Sequence, residues 1–259
     1  MIKTHIFKTA LFATVLCALC ANFAYAKKRK DDKPRGTTAV ELAQLKARPL
    51  PQPSKIKIAV LPVMDSSGLS ENTRIATATV WQLLHRQGFS LTPILSGFAA
   101  LEKDSEIEPG ASLRKEDAVR LGKKLGVNWV VYGEAGELRV SSKSGWISNK
   151  KYADASLRLV VVDIANNQKD DSGILYWQMR HERAGGRKGL FGGGAHGDLN
   201  LKRDASIRTA TAIFDPFFAA FPQHTISQEK FNEGTLKDFI NTVWPDKDDG
   251  KDGKDNKKK

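Results

Sequence analysis

The apolar positions along this chain fall into short runs of two different periods. Lys55–Val63 (KIKIAVLPV) and Val127–Gly133 (VNWVVYG) are dense in β-branched residues, the pattern of strands buried on both faces. An amphipathic segment accompanies each. Thr73–Gln87 predicts a helix with Ile75, Val80, Leu83 and Leu84 on one side, stopped at Gly88. Arg114–Leu125 predicts another, with Ala118, Leu121 and Leu125 inward and Gly126 as the stop. Between them, Phe89–Leu95 reads as a second strand that Pro93 confines to an edge or an end. Residues Ser96–Leu113 read as a loop with at most one helical turn. The sequence strand, irregular segment, helix, strand suits a right-handed crossover.

The second half changes period. Glu137–Ser142, Lys151–Ile164 and Gly173–Arg183 predict successive strands, and in LRLVVVDI the residues Leu157, Leu159 and Val161 alternate with Arg158, Val160 and Val162. The polar turn ANNQKDDS (165–172) predicts that the last two strands pair as a hairpin. A glycine-rich loop (185–197) leads to a helix over Leu201–Phe214, which Asp215-Pro216 stops or kinks. FFAAF (217–221) adds core mass, and TLKDFINTVW predicts a last short helix. The expected fold is α/β: a single three-layer or two-layer domain, with helices packed on a mixed sheet of about five or six strands.

The ends carry a different message. Residues 1–26 place Lys3 and Lys8 before an apolar stretch, Ala10–Ala21, and close on Ala24-Tyr25-Ala26, the form of a cleavable export signal. The stretch is shorter than the roughly 18–20 residues needed to span a bilayer. Both cysteines, Cys17 and Cys20, lie inside it and follow leucines, so lipid attachment is not expected. The expected mature chain starts at Lys27, has no disulfide and no transmembrane span, and resides in the periplasm or outside the cell. Residues 27–54 form a basic, proline-bearing leader, either disordered or with a short helix around Ala39–Lys46. The α/β domain is expected over 55–244 and a disordered charged tail over 245–259.

The chain carries a formal net charge of +12. KKRKDDKPR (27–35), with six basic and two acidic residues, supplies +4 of it, and residues 36–245 keep a modest excess of about +5 without clustering. This favours peripheral attraction to an anionic membrane or cell-wall polymer over nucleic acid, which an exported protein rarely meets.

Chemical motifs are scarce. GGGAHG (192–197) matches G-x-G-x-x-G, but a polar loop replaces the strand that a dinucleotide site requires. The tail has the wrong register for a calcium loop, and the four histidines outside the signal are scattered without a zinc pattern. There is no G-x-S-x-G, no S-x-x-K and no mature cysteine, and Asp65-Ser66-Ser67 reads as a strand-to-helix turn. No catalytic residue, cofactor or metal is assigned. Loop aromatics with nearby cations remain as candidates for partner contact: Trp146, Lys150, Arg187, Lys188, Leu190 and Phe191.

Three segments, KIAVLPVMDSSG, LGKKLGVNWVVYGEA (121–135) and LRLVVVDIANN (157–167), resemble a family of bacterial envelope proteins. That family includes the periplasmic domain of the curli-secretion lipoprotein, the penicillin-binding-protein activator lipoproteins and the amino-terminal domain of TolB. The resemblance spans roughly residues 55–221 and implies a non-catalytic module that binds an envelope protein or assembles with itself. Curli-type pore formers carry a lipid-anchoring cysteine and long alternating membrane hairpins. Here those hairpin positions hold SSKSGWISNKKYADA (141–155) and the glycine-rich loop. A binding module is therefore expected rather than a pore.

Overall fold

The structure is a computed structural model that describes residues 36–68, 70–144, 149–165, 173–186, 197–221 and 231–245. Among the described residues six α-helices, α1 (Ala39–Ala47), α2 (Ser70–Arg86), α3 (Ile94–Glu102), α4 (Lys115–Leu125), α5 (Asp198–Phe218) and α6 (Glu233–Val243), pack with one five-stranded sheet. Its strands are β1 (Lys57–Asp65), β2 (Ser90–Leu91), β3 (Trp129–Ser144), β4 (Asn149–Asp163) and β5 (Ile174–Gly186), in the order β2-β1-β3-β4-β5. The sheet is mixed: β1 runs parallel to β2 and β3, while β3, β4 and β5 form an antiparallel meander.

One apolar layer joins Ile58, Val60, Val131, Leu159 and Val161 to α2 and α5. Its densest part is aromatic: Phe217 is fully buried, with ring centroids 5.2 Å from Tyr176 and 5.4 Å from Phe221. Each buried phenylalanine contributes about 1.5–3 kcal/mol of burial free energy. The opposite layer sets Leu61, Val130, Val160 and Val162 against Ala118, Val119 and Leu121 of α4. The central strands are thus covered on both faces, as their unbroken apolar runs require. Gly88 and Gly126 stop α2 and α4 with φ of 80° and 61°. The β4–β5 hairpin forms, and Leu157, Leu159 and Val161 share the face under α5.

Three local expectations are corrected. The strand expected over Phe89–Leu95 shrinks to Ser90–Leu91, because Pro93 sets up the first turn of α3 and the apolar residues after it become helical. The loop expected over 96–113 therefore loses its first third to helix. Asn128–Gly133 and Glu137–Ser142 are one strand, not two, with a bulge between Ala135 and Glu137. The bulge moves the alternation by one residue, so Leu138 joins Ala153 and Ala155 in the core while Glu137 and Arg139 take the other face. Of the stop or kink expected at Asp215-Pro216, the stop does not occur there: Pro216 lies inside α5, which ends two residues later at Phe218.

Of the two alternatives for the leader, disorder or a short helix around Ala39–Lys46, the helix forms, as α1. Thr38 and Glu41 make a reciprocal capping box, and Leu45 enters the core. Ahead of it, Gly36 bridges Gln178 antiparallel, and the Thr37 amide donates to the Trp177 carbonyl at 2.8 Å.

Candidate functional site

In open α/β sheets, crevices form beyond the carboxyl ends of strands whose neighbours are reached on opposite sides. Here that strand is β1, flanked by β2 and β3. The chain leaves β1 through Asp65-Ser66-Ser67-Gly68, and hydrogen bonds account for each side chain in the turn. The Ser66 hydroxyl donates to the Gly136 carbonyl at 3.0 Å, and the Ser67 hydroxyl donates to the Asp65 carboxylate. Asn72 donates to the same carboxylate at 3.1 Å, and the Asp65 amide donates to the Thr73 hydroxyl at 3.2 Å. The segment is a strand-to-helix turn whose polar groups satisfy one another.

Beside this turn lies a groove of about 780 Å³, within the roughly 300–1,000 Å³ of ligand sites. Leu95 and Phe98 of α3, Ile107 of the following loop and Trp244 after α6 supply much of its apolar lining. Gly97 brings α3 against the sheet, since a Cβ there would stand 2.5 Å from the Val60 carbonyl oxygen. Leu95 is 47% exposed. Trp244 meets Phe98 edge-on at 5.4 Å, and the Arg74 guanidinium lies 5.8 Å from its ring centroid. α6 is fixed to α2 by Phe239 stacked on Trp81 at 5.1 Å, so Trp244 is delivered by a docked helix.

The loop wall is tied to α4 through Asp104. Its buried carboxylate accepts from Lys124 at 2.8 Å and from Arg120 at 3.1 and 3.2 Å. The Lys124 bond, then the Arg120 bonds, hold this carboxyl well below the usual carboxylate range against the opposing effect of burial. Glu102 and Glu108 also line the groove, and both are exposed.

A second surface lies at the far end of the antiparallel strands. The apolar layer under α4 ends at Tyr132, Val160 and Trp177; beyond it, the same face carries Glu137, Arg139, Tyr152, Asp154, His181 and Arg183. Asp154 is only 3% exposed. It accepts from Arg183 at 2.7 Å, and His181 lies 3.4 Å away. Burial raises the Asp154 carboxyl, but Arg183 and His181 outweigh that and leave it below the ordinary value.

Trp146, Arg187, Lys188, Leu190 and Phe191 lie outside the described residues, and Lys150 is placed only as a β4 position opposite Lys143. The groove residues went unnoticed because four distant segments supply them. One signal for α3 was present: Ile94, Phe98 and Leu101 recur at helical spacing directly after Pro93. Among the described residues no group of three or more His, Cys, Asp or Glu is placed to hold a metal ion. None of their helices is long and apolar enough to cross a membrane.

No protein-family model matches the chain, and no curated protein matches it. Solved structures do. The PelC dodecamer from Paraburkholderia phytofirmans matches at 11% identity over 74% of this chain and 99% of its own, with a TM-score of 0.42. Lipoprotein GNA1162 from Neisseria meningitidis matches at 17% identity over 53% and 88%, with a TM-score of 0.39. The LpoB C-terminal domain from Salmonella enterica matches at 16% identity over 59% and 96%, with a TM-score of 0.33. The likeness is one of fold.

Proposed function

We propose that this chain is an exported, non-catalytic envelope module that binds another envelope protein or a second copy of itself. The observation that carries the reading is the groove beside β1, where exposed Leu95 stands with half-buried Phe98 and Trp244 as apolar lining. Exposed aromatic and aliphatic anchors set in a pocket are the features that dominate protein interfaces. The serines most open to a nucleophilic reading donate instead to Gly136 and Asp65, which supports a binding role over hydrolysis. In this reading the signal is cleaved after Ala26, no lipid is attached, and the basic leader from Lys27 lies on the periplasmic side. The test is a photo-crosslinking amino acid at Leu95 in intact cells. An envelope protein, or the chain itself, should be captured there and not from an equivalent probe at exposed Lys123 of α4. Equal capture from both positions overturns the reading.

A further inference from the structure

The groove has a polarity that its apolar lining alone does not explain. Its α3 wall ends in Glu102, the last residue of that helix, where the negative end of the helix dipole adds to the carboxylate. Glu108 and Asp65 also line the groove. Asp104 adds little to this field, because Arg120 and Lys124 neutralise it. Among the described lining residues the one cation is Arg74, whose guanidinium sits over the Trp244 ring. The groove is therefore an acidic-walled apolar site on a chain of net charge +12. A basic ligand is repelled by the molecule as a whole and attracted here, which confines its binding to this place.

We propose that the groove receives a peptide segment in which apolar side chains alternate with lysine or arginine, presented by an envelope protein. The inference rests on the protein-binding reading and names the partner's chemistry. The apolar side chains seat on Leu95, Phe98 and Trp244, and the cations lie along Glu102 and Glu108. The chain's own tail, residues 246–259, contains only Asp, Lys, Gly and Asn, so it offers the charges without the apolar anchors.

The test uses the purified chain with its tail intact and two fluorescein-labelled hexapeptides, Lys-Leu-Phe-Lys-Leu-Phe and Glu-Leu-Phe-Glu-Leu-Phe, followed by anisotropy. The basic peptide should bind about tenfold more tightly or better, a difference that shrinks with added salt. Glu102→Lys with Glu108→Lys should reverse the preference. Leu95→Ser should weaken the basic peptide by about tenfold. All three positions are exposed, and unchanged circular dichroism confirms that each variant is folded. Equal binding of the two peptides, or indifference to these variants, overturns the proposal. Binding that emerges only after removal of residues 246–259 assigns the groove to the tail and also overturns it, as does self-association abolished by Leu95→Ser. Capture of a partner at Leu95 in cells without basic-peptide binding sinks this inference alone. Peptide binding without any capture in cells sinks the protein-binding reading.

Discussion

Val131 and Val161 lie on one face of the sheet and Val130, Val160 and Val162 on the other, and all five are buried. A few residues along the same strands, Leu138, Ala153 and Ala155 are still buried, but their alternates are Glu137, Arg139, Asp154 and Ser156. One set of strands thus runs from a two-sided core into a one-sided one. Beside β1 and under α4 the strands are covered on both faces, whereas their far end, which is purely antiparallel, can leave one face polar. Apolar side chains hold the first region, and charges satisfy one another across strands in the second. Both candidate surfaces lie outside the two-sided core, where side chains are free to serve something other than packing.

Substitutions can sharpen that contrast. Phe217→Ala in the aromatic cluster should cost most, about 3–5 kcal/mol in urea unfolding. A loss below about 1 kcal/mol would mean that the cluster is not the keystone of the two-sided region. Gly133→Ala tests the junction, since a Cβ there would stand 2.1 Å from the Arg158 carbonyl oxygen. The β3–β4 pair must then shift, with an expected cost of about 1–3 kcal/mol. Asp104→Asn should have a smaller effect at neutral pH and a distinctive profile. The Asp104 carboxyl is held below its ordinary 3.8, so it binds protons less readily folded than unfolded. Its stabilising contribution is complete above that value and is lost as pH falls below it. The gap between the natural chain and the variant in thermal melts should stay constant above about pH 5 and close in acid. A gap that widens in acid would contradict the charge assignment. Met179→Ser on the polar face should change least, within about 0.5 kcal/mol. A larger loss would show that this face is covered in the folded protein.

The two-sided region was legible in the sequence because its runs are long and dense. KIAVLPV and VVVDI read as strands without any knowledge of their neighbours, and Gly88 and Gly126 marked the helix ends correctly. Legibility failed where a local rule was overridden. α3 was read as strand and loop because its apolar run is short and follows a proline, which argues for an edge strand as readily as for a helix start. The continuous β3 was split in two because the bulge resets the alternation, and a reset looks like a new element. The groove was invisible for another reason. Met64, Leu95, Ile107 and Trp244 come from four segments, and no periodicity links them.

The bulge between Ala135 and Glu137 also constrains how this chain can change length. Along β3 the inner and outer faces are read in pairs, so losing one residue beyond the bulge exchanges every core position for a surface one. At Gly136 an odd residue is already absorbed, and the Ser66 hydroxyl donates to its carbonyl at 3.0 Å. Length variants of this domain should therefore tolerate two-residue steps along the strand, with this junction the one place where a single residue can be gained or lost at the expense of re-sorting Glu137, Leu138 and Arg139.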